Sequence, residues 1–207
     1  MFTGRRILSR HEEAAMYRTL NVGLMAGTAI LLLSVQPALA QDDHLAQAVD
    51  HAQQAAAHGG MGHAAVLVQH ANMALTHARL APDDNPHTMA AIASLTDAVT
   101  HGNMDHAPVA TGMVSTGVTN LQVAVHVGMA LDHNMQAVSH GNMGHSPLVV
   151  THAEMALTHA RAAAELSDSP HIGLAIEGLQ SAVTHGGMGH AEVATTSAQQ
   201  AMSHLHM

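Results

Sequence analysis

The sequence lacks cysteine, tryptophan and lysine, and it holds one tyrosine and one phenylalanine. Without cysteine the chain forms no disulfide, binds no metal through thiolate and performs no thiol catalysis. Four of its six arginines lie within the first 18 residues. A chain with so few cations cannot neutralise phosphate backbones, which argues against nucleic acid as a partner.

The first 40 residues have the pattern of an export signal. Four arginines precede an apolar run at about residues 22–35, and the motif Ala38-Leu39-Ala40 follows it. A charged region, an apolar region and an A-x-A site are typical of a signal peptide that is cleaved on export. We therefore expect a periplasmic mature chain that begins at Gln41, with translation starting at Met1 or Met16. Because the apolar run is short and no second one follows, we expect no stable membrane insertion after cleavage.

The chain beyond residue 40 is acidic and rich in histidine. It holds 20 of the 21 histidines, 13 of the 15 acidic residues and two arginines, Arg79 and Arg161, so its net charge is −11 with histidine neutral. Full protonation of the 20 histidines would bring the charge to +9, with the change centred on a histidine pKa of about 6.5. The charge therefore favours cations as partners at neutral pH.

This part of the chain is a tandem duplication. The segment MALTHAR occurs at 73–79 and again at 155–161, and AVTHG occurs at 98–102 and at 182–186. Repetition at a nearly constant offset indicates two copies of one structural unit. We place the first unit at residues 41–120 and the second at 121–207.

Each unit contains the residues of four helices. Alanine, leucine, methionine and glutamine favour helix, and short connectors interrupt them at regular places. Because connectors this short join antiparallel neighbours, we predict an all-α fold of two tandem up-down four-helix bundle units after a cleaved signal peptide. The predicted helices are 43–58, 64–80, 86–101, 107–120, 122–140, 146–164, 170–185 and 191–206. The glycine-containing fourth helix either frays or runs on into the second unit as one long bent helix.

Particular residues are expected to end and fill these helices. Gly59 and Gly141 are expected in the left-handed conformation just beyond a helix end. Helices are expected to begin with an N-cap followed by proline at Asn85-Pro86, Ser146-Pro147 and Ser169-Pro170. Alanine should fill a thin core between larger side chains, which are Val66, Leu67, Val68, Leu75, Ile92, Leu95, Val99 and their counterparts. Four methionines are expected as flexible core filler, namely Met73, Met129, Met155 and Met202.

Histidines recur every seven residues in the first two helices of each unit. Seven residues at about 100° each return to within roughly 20° of the same face, so the histidines form a stripe along each helix. Successive members lie about 10.5 Å apart along the axis at 1.5 Å per residue, which is too far for one ion to bridge. The second ligand must therefore come from another helix.

Folding each hairpin about its turn supplies that ligand. The turns are HGGMGH at 58–63, HGNMDH at 101–106, HGNMGH at 140–145 and HGGMGH at 185–190. Histidines at equal distances from a turn share one layer of an antiparallel pair, and binding one cation relieves the cost of partly burying both rings. The expected pairs are His58/His63, His51/His70, His44/His77, His140/His145, His133/His152, His126/His159, His185/His190 and His171/His204. The other expected ligands are His87, His101 and His106, although Asn120 stands opposite His87.

The ligand type selects the metal. Imidazole suits Cu(II), Ni(II) and Zn(II), and affinity generally peaks at Cu(II). We therefore expect Cu(2+) first and Ni(2+) or Zn(2+) as alternatives, at several similar sites and not in one closed zinc centre. The turn methionines either close the hairpin end or offer thioethers to Cu(I); they are Met61, Met104, Met143 and Met188. Asp50 and Asp132 each precede a stripe histidine and are candidate outer partners of the imidazoles.

The chain resembles the periplasmic small metal-binding protein family in the stretch AVDHAQQAAAHGGMGHAAVLVQHANMALTHARLA, which is followed by NPH, AVTHG and a second H-G-x-x-x-H turn. The histidine stripes match from His44 to His77 and again from His126 to His159. The resemblance covers the mature chain twice, whereas a typical member matches one unit. It implies an exported four-helix bundle that binds copper and other divalent metals, for binding, buffering or delivery in the periplasm. Methionine in the turns and the absence of lysine depart from the family pattern.

Two other classes of function compete with metal binding. The histidine layers repeat, with no nucleophile motif and no distinct acid–base pair, which argues against an enzyme. The alternative function is a pH-responsive structural or assembly protein that uses histidine titration without metal. Dependence of stability on metal separates this alternative from metal binding.

Overall fold

The structure is a computed structural model that describes residues 36–81 and 85–207. Most of the predicted signal peptide lies outside these residues. The described residues form seven α-helices and no strand, which confirms the all-α bundle prediction. The helices are α1 (Gln36–Gly60), α2 (Ala64–Leu80), α3 (Pro86–Asn103), α4 (Ala107–Asn142), α5 (Ser146–Leu166), α6 (Pro170–Gly187) and α7 (Ala191–Leu205). Within the described ranges, no helix is long and apolar enough to cross a membrane.

Residues 41–207 form one compact unit that contains two four-helix bundles. The first bundle consists of α1, α2, α3 and the first half of α4, and its core extends from Leu45 to Ala124. The second consists of the rest of α4 with α5, α6 and α7, and its core extends from Val123 to Leu205. Each repeat therefore buries its own apolar residues, and the two cores meet inside α4.

The fourth helix of the first repeat continues into the second repeat without a break. The predicted helices 107–120 and 122–140 are one helix of 36 residues, as the alternative of a single long helix had it. Two features account for this continuity. No proline interrupts the helix after Pro108, and the residues where the repeats join, Leu121, Val123 and Val127, are buried. At 1.5 Å per residue α4 is about 54 Å long. Its N-terminus adjoins the 101–106 turn and its C-terminus the 140–145 turn, so the turn ends of the two bundles lie at opposite ends of α4.

The core consists mainly of alanine, as expected. Fully buried alanines such as Ala48, Ala71 and Ala91 let the helices approach closely around Leu67 and Leu95. Val68, Ile92 and Val99 pack at the border of the core. Val66 is half-buried and lies outside the core cluster. The expectation that all four methionines fill the core was wrong for two of them, because Met73 and Met155 are 38 % and 42 % exposed.

The helix starts match the sequence in part. Asn85 caps α3 as expected, because its side-chain oxygen accepts a hydrogen bond from the backbone N–H of His87 at 2.9 Å. Ser169 occupies the N-cap position of α6 but makes no capping hydrogen bond with its side chain. The expectation that Ser146 caps α5 was wrong by one residue, since His145 holds the N-cap position and Ser146 begins the helix.

Candidate metal sites

Each H-G-x-x-x-H turn is a Schellman motif that brings its two histidines together. In the first turn, the backbone N–H of His63 donates to the carbonyl of His58 at 3.0 Å, and that of Gly62 donates to the carbonyl of Gly59 at 2.9 Å. These two bonds define the motif, which requires a left-handed residue just before the second histidine. The other three turns repeat both bonds, and the paired ring centroids of all four lie 5.8 to 6.0 Å apart.

The left-handed residue is therefore not the one expected. Gly59 and Gly141 were predicted to take this conformation, but they lie inside α1 and α4. Positive φ angles occur three residues later, at Gly62 and Gly144, and at Gly189 in the fourth turn. The helix runs two residues further than predicted, so the glycine after the first histidine lies inside it. The second turn places Asp105 at this position with φ 59°.

The first hairpin of each repeat assembles six histidine rings into a continuous zigzag, which we call a histidine column. In the first column the centroid distances are 5.5 Å for His44–His77, 5.6 Å for His77–His51, 5.9 Å for His51–His70, 5.5 Å for His70–His58 and 5.9 Å for His58–His63. The second column has 5.8 Å for His126–His159, 5.7 Å for His159–His133, 6.3 Å for His133–His152, 5.2 Å for His152–His140 and 5.9 Å for His140–His145. The expected pairs are adjacent, but so are rings of neighbouring layers.

The contacts between layers follow from the direction of helical side chains. A side chain in an α-helix leans toward the helix N-terminus. Rings on α1 therefore lean away from the turn and rings on the antiparallel α2 lean toward it, so His51 approaches His77 and His70 approaches His58. These inter-layer rings are nearly parallel, with interplanar angles of 16° and 3°. Equal distance from the turn therefore predicts only one neighbour of each histidine, whereas each inner histidine has two histidine neighbours.

The ring nitrogens are suited to hold a cation between neighbours. Eleven half-buried histidines have a buried Nδ1 with no hydrogen-bond partner, seven of them in the two columns. An unpartnered buried polar atom costs about 1–3 kcal/mol, which a bound cation would offset. With metal–nitrogen bonds of about 2.0–2.1 Å, two tetrahedral ligands place their nitrogens about 3.3 Å and their ring centroids about 5 Å apart, and opposite ligands place the centroids about 6 Å apart. The Nδ1 atoms of His44 and His77 lie 3.3 Å apart, as for two tetrahedral ligands. The centroid distances within the columns lie at or near the values of about 5–6 Å expected for two rings that share an ion.

The electrostatic environment favours neutral rings within the columns. Burial, followed by the charges of His51 and His44, lowers the pKa of His77 below its usual value. Burial and the neighbouring rings act in the same way in the second column, where they lower the pKa values of His152 and His159. Metal binds the neutral imidazole, so these rings are ready to coordinate at neutral pH.

The second hairpin of each repeat carries isolated pairs. His101 meets His106 at 5.8 Å in the first repeat, and the second repeat has His185–His190 at 6.0 Å and His171–His204 at 6.2 Å. His87 contacts no histidine ring among the described residues, in agreement with Asn120 standing opposite it. Of the predicted metal ligands, the structure places all but His87 next to another histidine.

No histidine, aspartate or glutamate side chain adds to a histidine pair. Within the described residues, no group of three such side chains converges to hold one ion. The carboxylate of Asp50 accepts a hydrogen bond from Gln54 at 2.7 Å, and the Nδ1 of His51 has no partner. The four turn methionines are 50 to 62 % exposed and do not close the hairpin ends. A bound ion would therefore keep coordination positions open to water.

Sequence reasoning missed the packing role of the glycine that follows each first turn histidine. A Cβ on Gly59 would collide with Thr111, and one on Gly141 would collide with Thr195. These threonines are equivalent in the two repeats, and each hydroxyl donates to the carbonyl four residues earlier at 2.7 Å. Glycine is constant at this position of all four turns, and at Gly102 and Gly186 an added Cβ would meet Val68 and Val150 instead.

The chain matches a known protein family. The family model described as small metal-binding protein matches the chain twice, over residues 19–124 and 119–207. The two matches overlap inside α4, where the cores of the two bundles meet. A search of curated proteins found no match.

Proposed function

Because the chain belongs to the small metal-binding protein family, we propose that it binds divalent transition metals in the periplasm through paired histidines, and buffers or delivers them there. Cu(2+) is the preferred ion, since affinity for imidazole sites generally peaks at copper, and Ni(2+) and Zn(2+) compete. The export pattern of residues 1–40 supports the compartment. The protein acts by binding and not as an enzyme.

One observation carries the proposal. Adjacent histidine rings lie 5.2 to 6.3 Å apart, and eleven of these rings have a buried Nδ1 atom without a hydrogen-bond partner. This spacing is compatible with a cation shared by two rings, and such a cation would give the eleven buried nitrogens a partner. The described histidines form at most nine pairs that do not overlap, so the capacity is up to nine ions held by two histidines each.

Equilibrium dialysis tests this proposal. Residues 41–207 are dialysed against Cu(II), Ni(II) or Zn(II) at pH 7.5 and at pH 5, and bound metal is counted by mass spectrometry. We expect several ions at pH 7.5, most strongly for Cu(II), and their loss at pH 5 because protonated imidazole cannot coordinate. Amino-acid analysis gives the protein concentration, since this part of the chain has no tryptophan or tyrosine.

Two variants separate paired from unpaired histidines. Replacing His63, His70 and His77 with alanine removes one side of the first column and should lower the capacity by three ions. The control replaces His87 and His206, which have no ring partner among the described residues, and should leave the capacity unchanged. An equal loss in both variants would mean that the ions bind single histidines. If no metal is retained at micromolar free concentration, the pH-responsive assembly protein becomes the better account.

A further inference from the structure

The inner histidines of a column cannot be assigned to one site. His51 lies 5.9 Å from His70 in its own layer and 5.6 Å from His77 in the next. In the second column, His152 lies 5.2 Å from His140 and 6.3 Å from His133, so its inter-layer neighbour is the nearer one. Five adjacent ring pairs therefore follow one another along each column, and consecutive pairs share a histidine.

All five pairs have ring-centroid distances that are compatible with a shared cation. Centroid distances of about 5–6 Å fit a cation between two imidazoles, and both kinds of pair fall at or near this range. Within a column, neighbouring pairs lie about 5 Å apart along the helix axis, half of the 10.5 Å that separates histidines of one stripe. An ion in one pair is therefore a short step from the next.

Little else fixes an ion in a particular pair. No third histidine or carboxylate side chain converges on any pair in the described part of the chain. With two protein ligands and the remaining positions open to water, an ion can exchange one histidine for water and then that water for the next histidine. The shared histidine stays bound throughout the step.

We propose that each histidine column is a path along which a bound divalent ion moves between overlapping two-histidine sites. In one step the bond from the ion to His44 breaks and water takes its place, and His51 then replaces this water while His77 remains bound. The rings stay neutral, so no proton is transferred. This inference rests on the proposed metal binding. It adds a route by which the ion moves between the turn of a hairpin and the far end of its column.

The second hairpin of the second repeat provides an internal comparison. His185/His190 and His171/His204 are 14 residues apart in sequence on each helix, or about 21 Å along the axis. At the layer between them the chain has Gly178 and Ser197, which offer no imidazole. An ion in either pair can leave only into solution.

The test compares two rates for Zn(II), a diamagnetic probe, bound to residues 41–207 carrying ¹⁵N-labelled histidine. Nuclear magnetic resonance exchange measurements give the rate at which the ion passes between ring pairs. Stopped-flow transfer to an excess of chelator gives the rate at which it leaves the protein. Within the columns we expect passage to be at least tenfold faster than release, whereas between His171/His204 and His185/His190 the two rates should be equal.

An interrupted column provides the matched variant. In H51A/H70A the pairs His44/His77 and His58/His63 remain but lose the rings between them, so passage between these pairs should fall to the release rate. The control H171A/H204A also loses two histidines but should keep fast passage in both columns. Circular dichroism checks the fold, and H51Q/H70Q repeats the interruption if the alanine variant is unfolded.

The outcomes separate this inference from the proposed function. If the histidine resonances do not respond to Zn(II), the protein does not bind this metal through its rings, and the inference fails together with the zinc binding of the proposed function. If they respond but passage in the intact columns is no faster than release, metal binding stands and the path is refuted. Fast passage that survives in H51A/H70A would also refute it, because the ion would then be using another route.

Discussion

The helical conformation of α4 in each repeat can be tested with its glycines. Gly112 and Gly128 lie inside this helix, one in each repeat, and a Cβ added at either would meet no atom within 4 Å. Replacing glycine by alanine in a helix interior gains about 0.8–1.0 kcal/mol, so the double variant G112A/G128A should gain about 1.6–2.0 kcal/mol. For a protein of this size 1 kcal/mol shifts Tm by about 2–4 °C, which gives an increase of about 3–8 °C.

The assay is thermal unfolding of residues 41–207 followed by circular dichroism, with chelator present so that metal does not contribute. The control is G117A in the same helix. A Cβ there would lie 2.9 Å from Cγ of Leu95, and Gly117 is buried. Crowding of this kind costs about 1–3 kcal/mol, which exceeds the gain in helix propensity, so Tm should fall.

The result that refutes the reasoning is a lower Tm for G112A or G128A measured alone. Alanine can destabilise an open position only if the backbone there is not helical. The half of α4 that contains this glycine would then not be a regular helix. An increase in G117A would refute the close packing of α4 against α3.

Three further changes follow from the turns and the columns. D105G should stabilise the protein by about 1 kcal/mol in urea unfolding, because glycine tolerates the left-handed conformation that Asp105 now adopts; a loss of stability would contradict the φ angle. G186A should lower Tm because its Cβ would lie 2.8 Å from Val150, whereas the adjacent G187A meets nothing within 4 Å and should not. Urea unfolding of the metal-free protein should show stability falling as the pH drops below about 6.5, since the unfolded chain then binds more protons than the folded one; rising stability would contradict the lowered pKa values of three column histidines, His77, His152 and His159.

The helices and most ring pairs could be predicted from the sequence because both depend on spacing along the chain. A seven-residue repeat places histidines in a stripe on a helix, and a short connector makes neighbouring helices antiparallel. The position of His51 opposite His70 could therefore be predicted from the sequence. The long helix was only one of two alternatives, because β-branched residues and Gly112 and Gly117 weaken helix propensity while burial at Leu121 and Val127 favours it. Tertiary packing decided that balance.

What the spacing did not give was the direction in which side chains lean. The contacts between His51 and His77 and between His58 and His70 depend on that lean and turn separate pairs into a column. The position of the left-handed residue also depended on packing. Gly59 was expected beyond the helix end, but it lies inside α1 against Thr111. The left-handed conformation occurs at Gly62 instead.

The shared helix α4 gives the molecule two like faces that point in opposite directions. The turns at 58–63 and 101–106 lie at one end of α4, and the turns at 140–145 and 185–190 lie at the other end. A partner that recognises the exposed turn of one bundle would find a second copy about 54 Å away on the far side. One flat surface cannot engage both copies, so the duplication gives no added avidity toward it. It allows a single chain to join two such partners.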